Sequence, residues 1–175
     1  MLGDKATLRK RLLAARRSHA PEELTAARAA IRTAVLARAT ALGWSAVAAY
    51  VPMTTEPGSV ELLDGLAALD VQVIVPVVLA DRDLSWSTWA SDTVGLGVDA
   101  ITSVDAVLVP ALAVAADGTR LGRGGGSYDR ALARVRSGVP VAALLFEGEL
   151  VDVLPRDPWD LPVRAVVTPA GWQDL

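Results

Sequence analysis

The chain has 175 residues, of which 52% are hydrophobic and 21% are charged, and it contains no cysteine. This length and balance favour one globular domain spanning residues 1–175, and the missing cysteine excludes disulfides and thiolate metal sites. The net charge of −3 gives no general attraction to nucleic acid or to an anionic membrane, so neither is expected as a partner.

The amino-terminal segment predicts two helices. Leucines from Leu2 to Leu13 recur at helical spacing among lysines and arginines, which indicates an amphipathic helix with a basic face of the kind that is usually solvated. Pro21 and the two glutamates after it mark the start of a second helix, which should run to about Leu42. The segment lacks the apolar run of a signal peptide, so a soluble, cytoplasmic protein is expected.

After Gly43 the pattern changes to short apolar runs, which predict buried strands at 46–51, 71–78, 104–109, 139–145 and 164–167. Helical segments near 59–69 and 127–135 lie between them. This alternation predicts a three-layer α/β fold, with a mostly parallel sheet and helices on both faces. The polar region 81–99 has no clear period and predicts no element.

A glycine-rich loop is the most informative stretch, and it reads TRLGRGGGSYDR from Thr119 to Arg130. It lies between a predicted strand and a predicted helix, where backbone N–H groups can hold a phosphate. Arg120 and Arg123 add cationic groups suited to phosphate oxygens, and Asp129 could hold a magnesium ion. From the residues alone, a tight turn in which Ser127 caps the helix remains an equal alternative.

Two better-known nucleotide motifs do not fit this loop. It lacks the lysine followed by serine or threonine of a Walker A sequence. A dinucleotide fingerprint would place the glycines directly after a strand, whereas residues 111–121 intervene here.

The loop and its context resemble the signature of the 5-formyltetrahydrofolate cyclo-ligase family. The segment from Val107 to Ala113, Asp117 with Gly118, and Arg120 to Arg130 carry the resemblance. Other family-like features follow in the same order along the chain, namely Lys5 with Leu8 and Arg9, Tyr50 to Met53 with Glu56, and Asp160 before Val166, Val167 and Thr168. The likeness therefore spans nearly the whole chain.

The resemblance implies an ATP-dependent ligase that converts 5-formyltetrahydrofolate to 5,10-methenyltetrahydrofolate, with release of ADP and phosphate. It also implies a fold similar to the sugar-phosphate isomerase and CoA-transferase group, a reduced formylated folate as substrate, and a monomer. ATP and Mg²⁺ are the implied cofactors.

The resemblance also implies a set of site residues. The catalytic residues would be Arg123, Tyr128 and Asp129. ATP would contact Lys5, Arg9, Arg120, Leu121, Gly122, Arg123, Gly124, Gly125, Gly126, Ser127 and Tyr128. The folate would contact Val51, Glu56, Arg123, Gly124, Gly125, Gly126 and Ser127. Magnesium would be held by Asp129 and Asp160.

The chain departs from the family pattern at Pro57, at Ser127 where tyrosine is common, at Trp159 where histidine is frequent, and in a short region at 93–104. Two alternatives therefore stay open. One is a diverged, non-catalytic nucleotide-binding or folate-binding protein with a regulatory function. The other is a sugar-phosphate enzyme that works without ATP.

Overall fold

The computed structural model describes residues 4–91 and 95–175. Within them the α-helices are α1 (Lys5–Arg17), α2 (Pro21–Leu42), α3 (Val60–Ala68) and α4 (Ser127–Leu132), and a 3₁₀ helix spans Val98–Ser103. The strands are β1 (Ala46–Ala48), β2 (Gln72–Val78), β3 (Leu84–Thr88), β4 (Ala106–Pro110), β5 (Ala113–Ala115), β6 (Arg120–Leu121), β7 (Val141–Leu144), β8 (Leu150–Val151), β9 (Ala165–Thr168) and β10 (Gly171–Asp174). The predicted first-helix residue Leu2 lies outside the described residues, as does part of the 93–104 region.

Seven strands form one mixed sheet in the order β10-β9-β7-β4-β1-β2-β3. The five inner strands are parallel, and β10 and β3 pair antiparallel at the two edges. All five strands predicted from apolar runs are therefore neighbours, which confirms the mostly parallel sheet. The two edge strands were not predicted, because both are short and carry polar residues.

Helices cover both faces of this sheet. Alternate residues of β4 point in opposite directions, so Leu108 packs towards α2 and α3 while Val107 packs towards α4 and the 3₁₀ helix. Trp86 of the unpredicted strand β3 is fully buried on the second face. The predicted three-layer arrangement is confirmed.

Local capping signals account for the helix limits. Asp4 Oδ1 accepts from the Thr7 N–H at 2.7 Å at the start of α1, and Ser59 Oγ accepts from the Leu62 N–H at 3.2 Å at the start of α3. Helix α2 ends at Gly43, whose φ of +62° glycine adopts without strain. The prediction for α2 matches both ends, whereas α4 ends at Leu132 and not at Val135.

The parallel strands place a switch point between β1 and β4. The chain crosses from β1 to β2 on one side and then returns to β4 on the other, so loops leaving the carboxyl ends of β1 and β4 diverge. Such a point is where ligands bind in open α/β sheets. A second, three-stranded sheet in the order β6-β5-β8 lies beyond this edge, where β6 leads into the glycine-rich loop.

No helix among residues 4–91 and 95–175 is long and apolar enough to cross a bilayer.

An ion pair between the β2–β3 turn and the segment after α4 should make stability depend on acid pH. Hydrogen bonds from Arg134, together with the Leu84 N–H, lower the pKa of Asp83 from 3.8 to about 2. Because this pKa is lower in the folded state, the pair stabilises the protein above about pH 4 and its contribution is lost as the pH falls to about 2.

We therefore expect Asp83→Asn to be less stable than the parent protein at pH 7, and the difference to close between pH 4 and pH 2. Urea denaturation of both proteins across this pH range measures it. A difference that stayed constant over the range would contradict the assignment.

Candidate active site

A cavity of about 370 Å³ opens at the carboxyl ends of β1 and β4. It lies at the switch point described above, between the glycine-rich loop, helix α1 and the segment before β9. Its lining is formed by Lys5, Arg9, Arg16, Glu56, Pro76, Val78, Leu84, Pro110, Ala111, Leu112, Arg120, Leu121, Gly122, Arg123, Gly124, Gly125, Gly126, Ser127, Tyr128, Asp129, Asp157, Trp159 and Asp160. Every residue predicted for the site is in this lining except Val51, which is half exposed.

The glycine-rich loop forms one wall of the cavity. It connects β6 to α4, and Gly124 and Gly126 have φ angles of +91° and +71°. At Gly124 a Cβ would lie 3.2 Å from the Arg9 guanidinium carbon, so glycine allows helix α1 to approach the loop closely. The Arg9 Nε–H donates to the Gly122 carbonyl at 2.8 Å, which fastens the loop to α1.

Arg120 is a buried cation at the base of the glycine-rich loop. Its side chain is 6% exposed, and its Nη2 donates to Asp129 Oδ1 at 3.2 Å. The guanidinium carbon lies 5.8 Å from the centre of the Tyr128 ring. Within the described residues, Arg120 Nε and Tyr128 Oη are buried polar atoms without a hydrogen-bond partner. Two polar groups without partners beside a cavity could bond to a ligand that is rich in oxygen atoms.

Tyr128 stays protonated in this environment. Burial raises the pKa of its hydroxyl above the ordinary value, although the Arg120 charge acts in the opposite direction. A buried phenol of this kind can donate a hydrogen bond to an anionic oxygen.

The adjoining part of the lining carries a network of one lysine and two carboxylates. Lys5 Nζ contacts both Asp157 and Asp160, and Asp160 also accepts from the Asp157 N–H at 2.8 Å. Burial works to lower the pKa of Lys5, but the hydrogen bonds to the two carboxylates outweigh it and raise that pKa. Lys5 is therefore fully charged at neutral pH.

Asp160 stays ionised in the same network. Burial works to raise its pKa, but the Asp157 N–H and Lys5 outweigh it and lower that pKa.

The carboxylates fit a magnesium ion only when phosphate oxygens share it. Asp129 Oδ1 accepts from the Leu161 N–H at 3.1 Å, so Asp129 is joined to the residue that follows Asp160. The described residues contain no group of three or more carboxylates or histidines placed to hold a metal by themselves. Magnesium is commonly bound by one or two carboxylates together with phosphates, and this donor set matches that pattern.

Glu56 lies on the β1 side of the cavity and is 4% exposed. Its Oε2 accepts from the Met53 N–H at 2.8 Å, and its Oε1 accepts from Arg123 Nε at 3.1 Å. Arg28 of α2 donates to the carbonyl oxygens of Glu56 and Thr54, which anchors the loop that follows β1 to helix α2. This carboxylate is buried and oriented, unlike the solvated loop glutamate that is the more common case.

Two charged lining residues, Arg16 and Asp157, were missed by the sequence analysis, whereas Trp159 is a lining residue that the sequence offered as a candidate for stacking on the ligand. Arg16 and Asp157 form buried or half-buried ion pairs, and Trp159 lies at the rim with 69% exposure. The helical pattern alone favoured a solvated basic face for α1, whereas the resemblance assigned Lys5 and Arg9 to ATP. In the structure Lys5, Arg9 and Arg16 all contact other parts of the protein. Their spacing of four and then seven residues was the available signal, because it places them on one stripe of the helix.

The sequence profile of the 5-formyltetrahydrofolate cyclo-ligase family matches residues 2–169. The chain is 38% identical over 141 residues to the 5-formyltetrahydrofolate cyclo-ligase of Mycolicibacterium smegmatis, an alignment that covers 70% of this chain and 73% of that protein. It is 39% identical over 72 residues to the enzyme of the same name from Escherichia coli K12, covering 40% of this chain and 39% of that protein.

Two solved structures are similar in fold. The 5,10-methenyltetrahydrofolate synthetase of Mycoplasma pneumoniae superposes with a TM-score of 0.84 at 24% identity, covering 95% of this chain and 99% of that one. The 5,10-methenyltetrahydrofolate synthetase of Aquifex aeolicus superposes with a TM-score of 0.75 at 27% identity, covering 97% and 92%. The first of these likenesses concerns the fold alone.

Proposed function

Because the chain belongs to the 5-formyltetrahydrofolate cyclo-ligase family, we propose that its cavity binds ATP and a reduced formylated folate side by side. The enzyme converts 5-formyltetrahydrofolate to 5,10-methenyltetrahydrofolate. The observation that best supports the two-substrate proposal is the mixed lining of the cavity. It combines cations and the glycine-rich loop with the buried carboxylate of Glu56, which is paired with Arg123 of that loop.

The chemistry requires an activated formyl oxygen. A formamide carbon resists attack by an amine, because the oxygen that must depart is a very poor leaving group. Transfer of the γ-phosphoryl group of ATP to the formyl oxygen releases ADP and turns that oxygen into part of a phosphate. The folate N10 then attacks the carbon, the carbon–oxygen bond breaks, and N10 loses its proton as phosphate leaves.

The proposed ATP side is built from cations that surround the loop. Arg120 and Arg123 offer guanidinium groups to the phosphates, and the loop from Gly122 to Gly126 offers backbone N–H groups. Lys5 and Arg9 reach the same space from α1. Phosphoryl transfer depends chiefly on positioning and on neutralising charge, which these groups supply without a nucleophile from the protein.

Asp129 and Asp160 are proposed to hold magnesium together with the phosphates. When bound, the ion would neutralise charge on the transferring group. Asp129 also keeps Arg120 in place through its Oδ1, and Tyr128 is proposed to donate its hydroxyl to the transferring oxygens.

The proposed folate side centres on Glu56. A carboxylate that accepts from paired N–H groups suits the donor edge of a pterin. In the present structure its Oε1 is paired with Arg123, so the pterin would take the place of that cation and release it towards ATP. Val51 is proposed to contact the folate from the edge of the cavity.

Three departures from the family pattern lie in or directly beside this site, whereas the described part of the 93–104 region does not line it. Pro57 is buried directly after Glu56, whereas Ser127 and Trp159 line the cavity. Ser127 is the one departure among the residues proposed to contact ATP. We propose that these three departures alter the fit of the folate and leave the reaction unchanged.

We further propose that residues 1–175 act as one domain, as a monomer in the cytoplasm, without nucleic acid or membrane as a partner. The main sheet takes strands from Ala46 to Asp174, which supports a single folding unit. The net charge of −3 supports the absence of an electrostatic attraction to polyanions.

The proposal predicts that purified protein forms methenyltetrahydrofolate from 5-formyltetrahydrofolate when MgATP is present, as followed by the absorbance of the product. Omitting ATP should abolish the signal. Folded protein that bound ATP but formed no product would support a non-catalytic relative. Product formed equally well without ATP would contradict the ATP requirement.

A further inference from the structure

Little apolar surface attaches helix α1 to the rest of the protein. Among its described residues, the buried side chains are those of Leu8 and Arg16. Leu8 packs with Ala113 and Leu121 in a small cluster, with Leu12 at its edge, whereas the two large clusters flank the main sheet. The carboxyl-terminal half of α1 is therefore held mainly through Arg16.

Arg16 is 1% exposed and makes three hydrogen bonds at the end of the sheet. Its Nε and Nη2 each donate to Glu149 at 2.7 Å, one to each carboxylate oxygen, and Nη2 also donates to the Ala111 carbonyl at 2.6 Å. Glu149 Oε2 accepts in addition from the Phe146 N–H at 2.8 Å. The pair thus joins α1 to the residues that directly follow β4 and β7.

Stability alone is a weak explanation for this pair. Removing two charges from water is costly, and buried ion pairs are often replaced by neutral residues with little or no loss of stability. A two-pronged guanidinium and carboxylate contact does, however, define distance and orientation more closely than apolar packing does.

The same stripe of α1 carries the cations of the cavity. Lys5, Arg9 and Arg16 lie within about 40° of one another around the helix axis. Lys5 meets Asp157 and Asp160, and Arg9 meets the glycine-rich loop. A shift or rotation of α1 at Arg16 would therefore move both ATP-side cations together.

We infer that Arg16 and Glu149 are positioning residues, which set helix α1 so that Lys5 and Arg9 reach the phosphates of ATP. This inference rests on the proposed function, because it assumes that ATP occupies the loop side of the cavity. Although Arg16 lines the cavity, its Nε and Nη2 are bonded to Glu149 and to the Ala111 carbonyl, so both side chains act through α1 and the sheet end.

The double variant Arg16→Met/Glu149→Gln tests the inference, because it removes both charges and leaves an oxygen that can accept from the Phe146 N–H. Titration calorimetry with a β,γ-imido analogue of ATP and magnesium gives the dissociation constant separately from the fraction of active protein. We expect the dissociation constant to rise about tenfold or more, since displaced binding groups lose their contacts. The dissociation constant for 5-formyltetrahydrofolate should change by less than about twofold.

A purely structural role gives a different result. The active fraction and the melting temperature would then fall, while the remaining folded protein bound the ATP analogue with the parent affinity. That outcome would overturn the inference. The single variant Glu149→Gln keeps the shape of the contact, so it provides a test if the double variant does not fold. It should weaken binding of the ATP analogue by at least about threefold. Binding with the parent affinity would again overturn the inference.

Arg38→Met is the matched control, because Arg38 also pairs with a carboxylate, that of Asp174, and neither residue lines the cavity. It should bind the ATP analogue as the parent protein does.

The binding data also separate this inference from the proposed function. Parent protein that failed to bind the analogue would overturn the proposed ATP site and this inference together. Normal binding by both the parent and the double variant would overturn the inference alone.

Discussion

Asp129→Asn should lower the turnover number about 100-fold or more, with a small loss of stability of about 1–2 kcal/mol. The asparagine oxygen can still accept from Arg120 Nη2 and from the Leu161 N–H, so the local hydrogen bonds survive. The negative charge is lost, and with it the proposed magnesium contact and the charge that orients Arg120. Positioning and charge neutralisation carry most of phosphoryl transfer, so the effect falls on kcat.

The measurement is the initial rate of methenyltetrahydrofolate formation at saturating ATP and folate, over a series of limiting magnesium concentrations. Asp105→Asn provides the matched control. The Asp105 carboxylate accepts from Ser45 and Ala46 at the amino end of β1, at the opposite edge of the sheet. The Asp105→Asn variant should keep the kcat of the parent protein. Parent activity of Asp129→Asn throughout the magnesium series would refute the role assigned to Asp129.

Gly118→Ala should destabilise the protein by about 2–4 kcal/mol. Gly118 has a φ of +82°, and a Cβ there would lie 2.3 Å from the Val163 carbonyl oxygen and 3.1 Å from Pro162 Cβ. The Val163 N–H donates to the Gly118 carbonyl at 2.9 Å, so the two segments cannot separate without breaking this bond. The free-energy cost of the left-handed backbone and the cost of the steric clash therefore add.

Gly138→Ala separates these two contributions. Gly138 has a similar φ of +87°, but no atom lies within 4 Å of its added Cβ. Only the backbone cost of about 1–2 kcal/mol applies there. Urea denaturation of both variants gives the two free energies of unfolding, and equal losses would show that the Val163 contact is unimportant.

The Gly118 variant should also lose activity. Val163 follows Asp160 closely in the chain, so displacement of this segment would disturb the contact between Asp160 and Lys5. The kcat of the folded fraction should fall for Gly118→Ala and stay unchanged for Gly138→Ala.

Much of the fold was predictable because its signals are local. Pro21 with its two glutamates and Gly43 define α2 through helix capping, and continuous apolar runs mark strands that are buried on both faces. Strand β3 was missed because five residues with only Leu84 and Trp86 as large apolar side chains leave little pattern. It pairs with β2 across a short turn, and its Trp86 is buried by residues from distant parts of the chain.

The sequence by itself determined the limits of α2, the buried strands of the sheet core and the glycine-rich loop, because each is marked by a pattern of neighbouring residues. It also carried the family resemblance that pointed to Lys5, Arg9, Glu56 and Asp160. Only the tertiary structure decided that Arg16 is buried on Glu149 and that Glu56 pairs with Arg123. These partners lie 133 and 67 residues apart in the chain, so no local pattern could join them until the sheet brought its strand ends together.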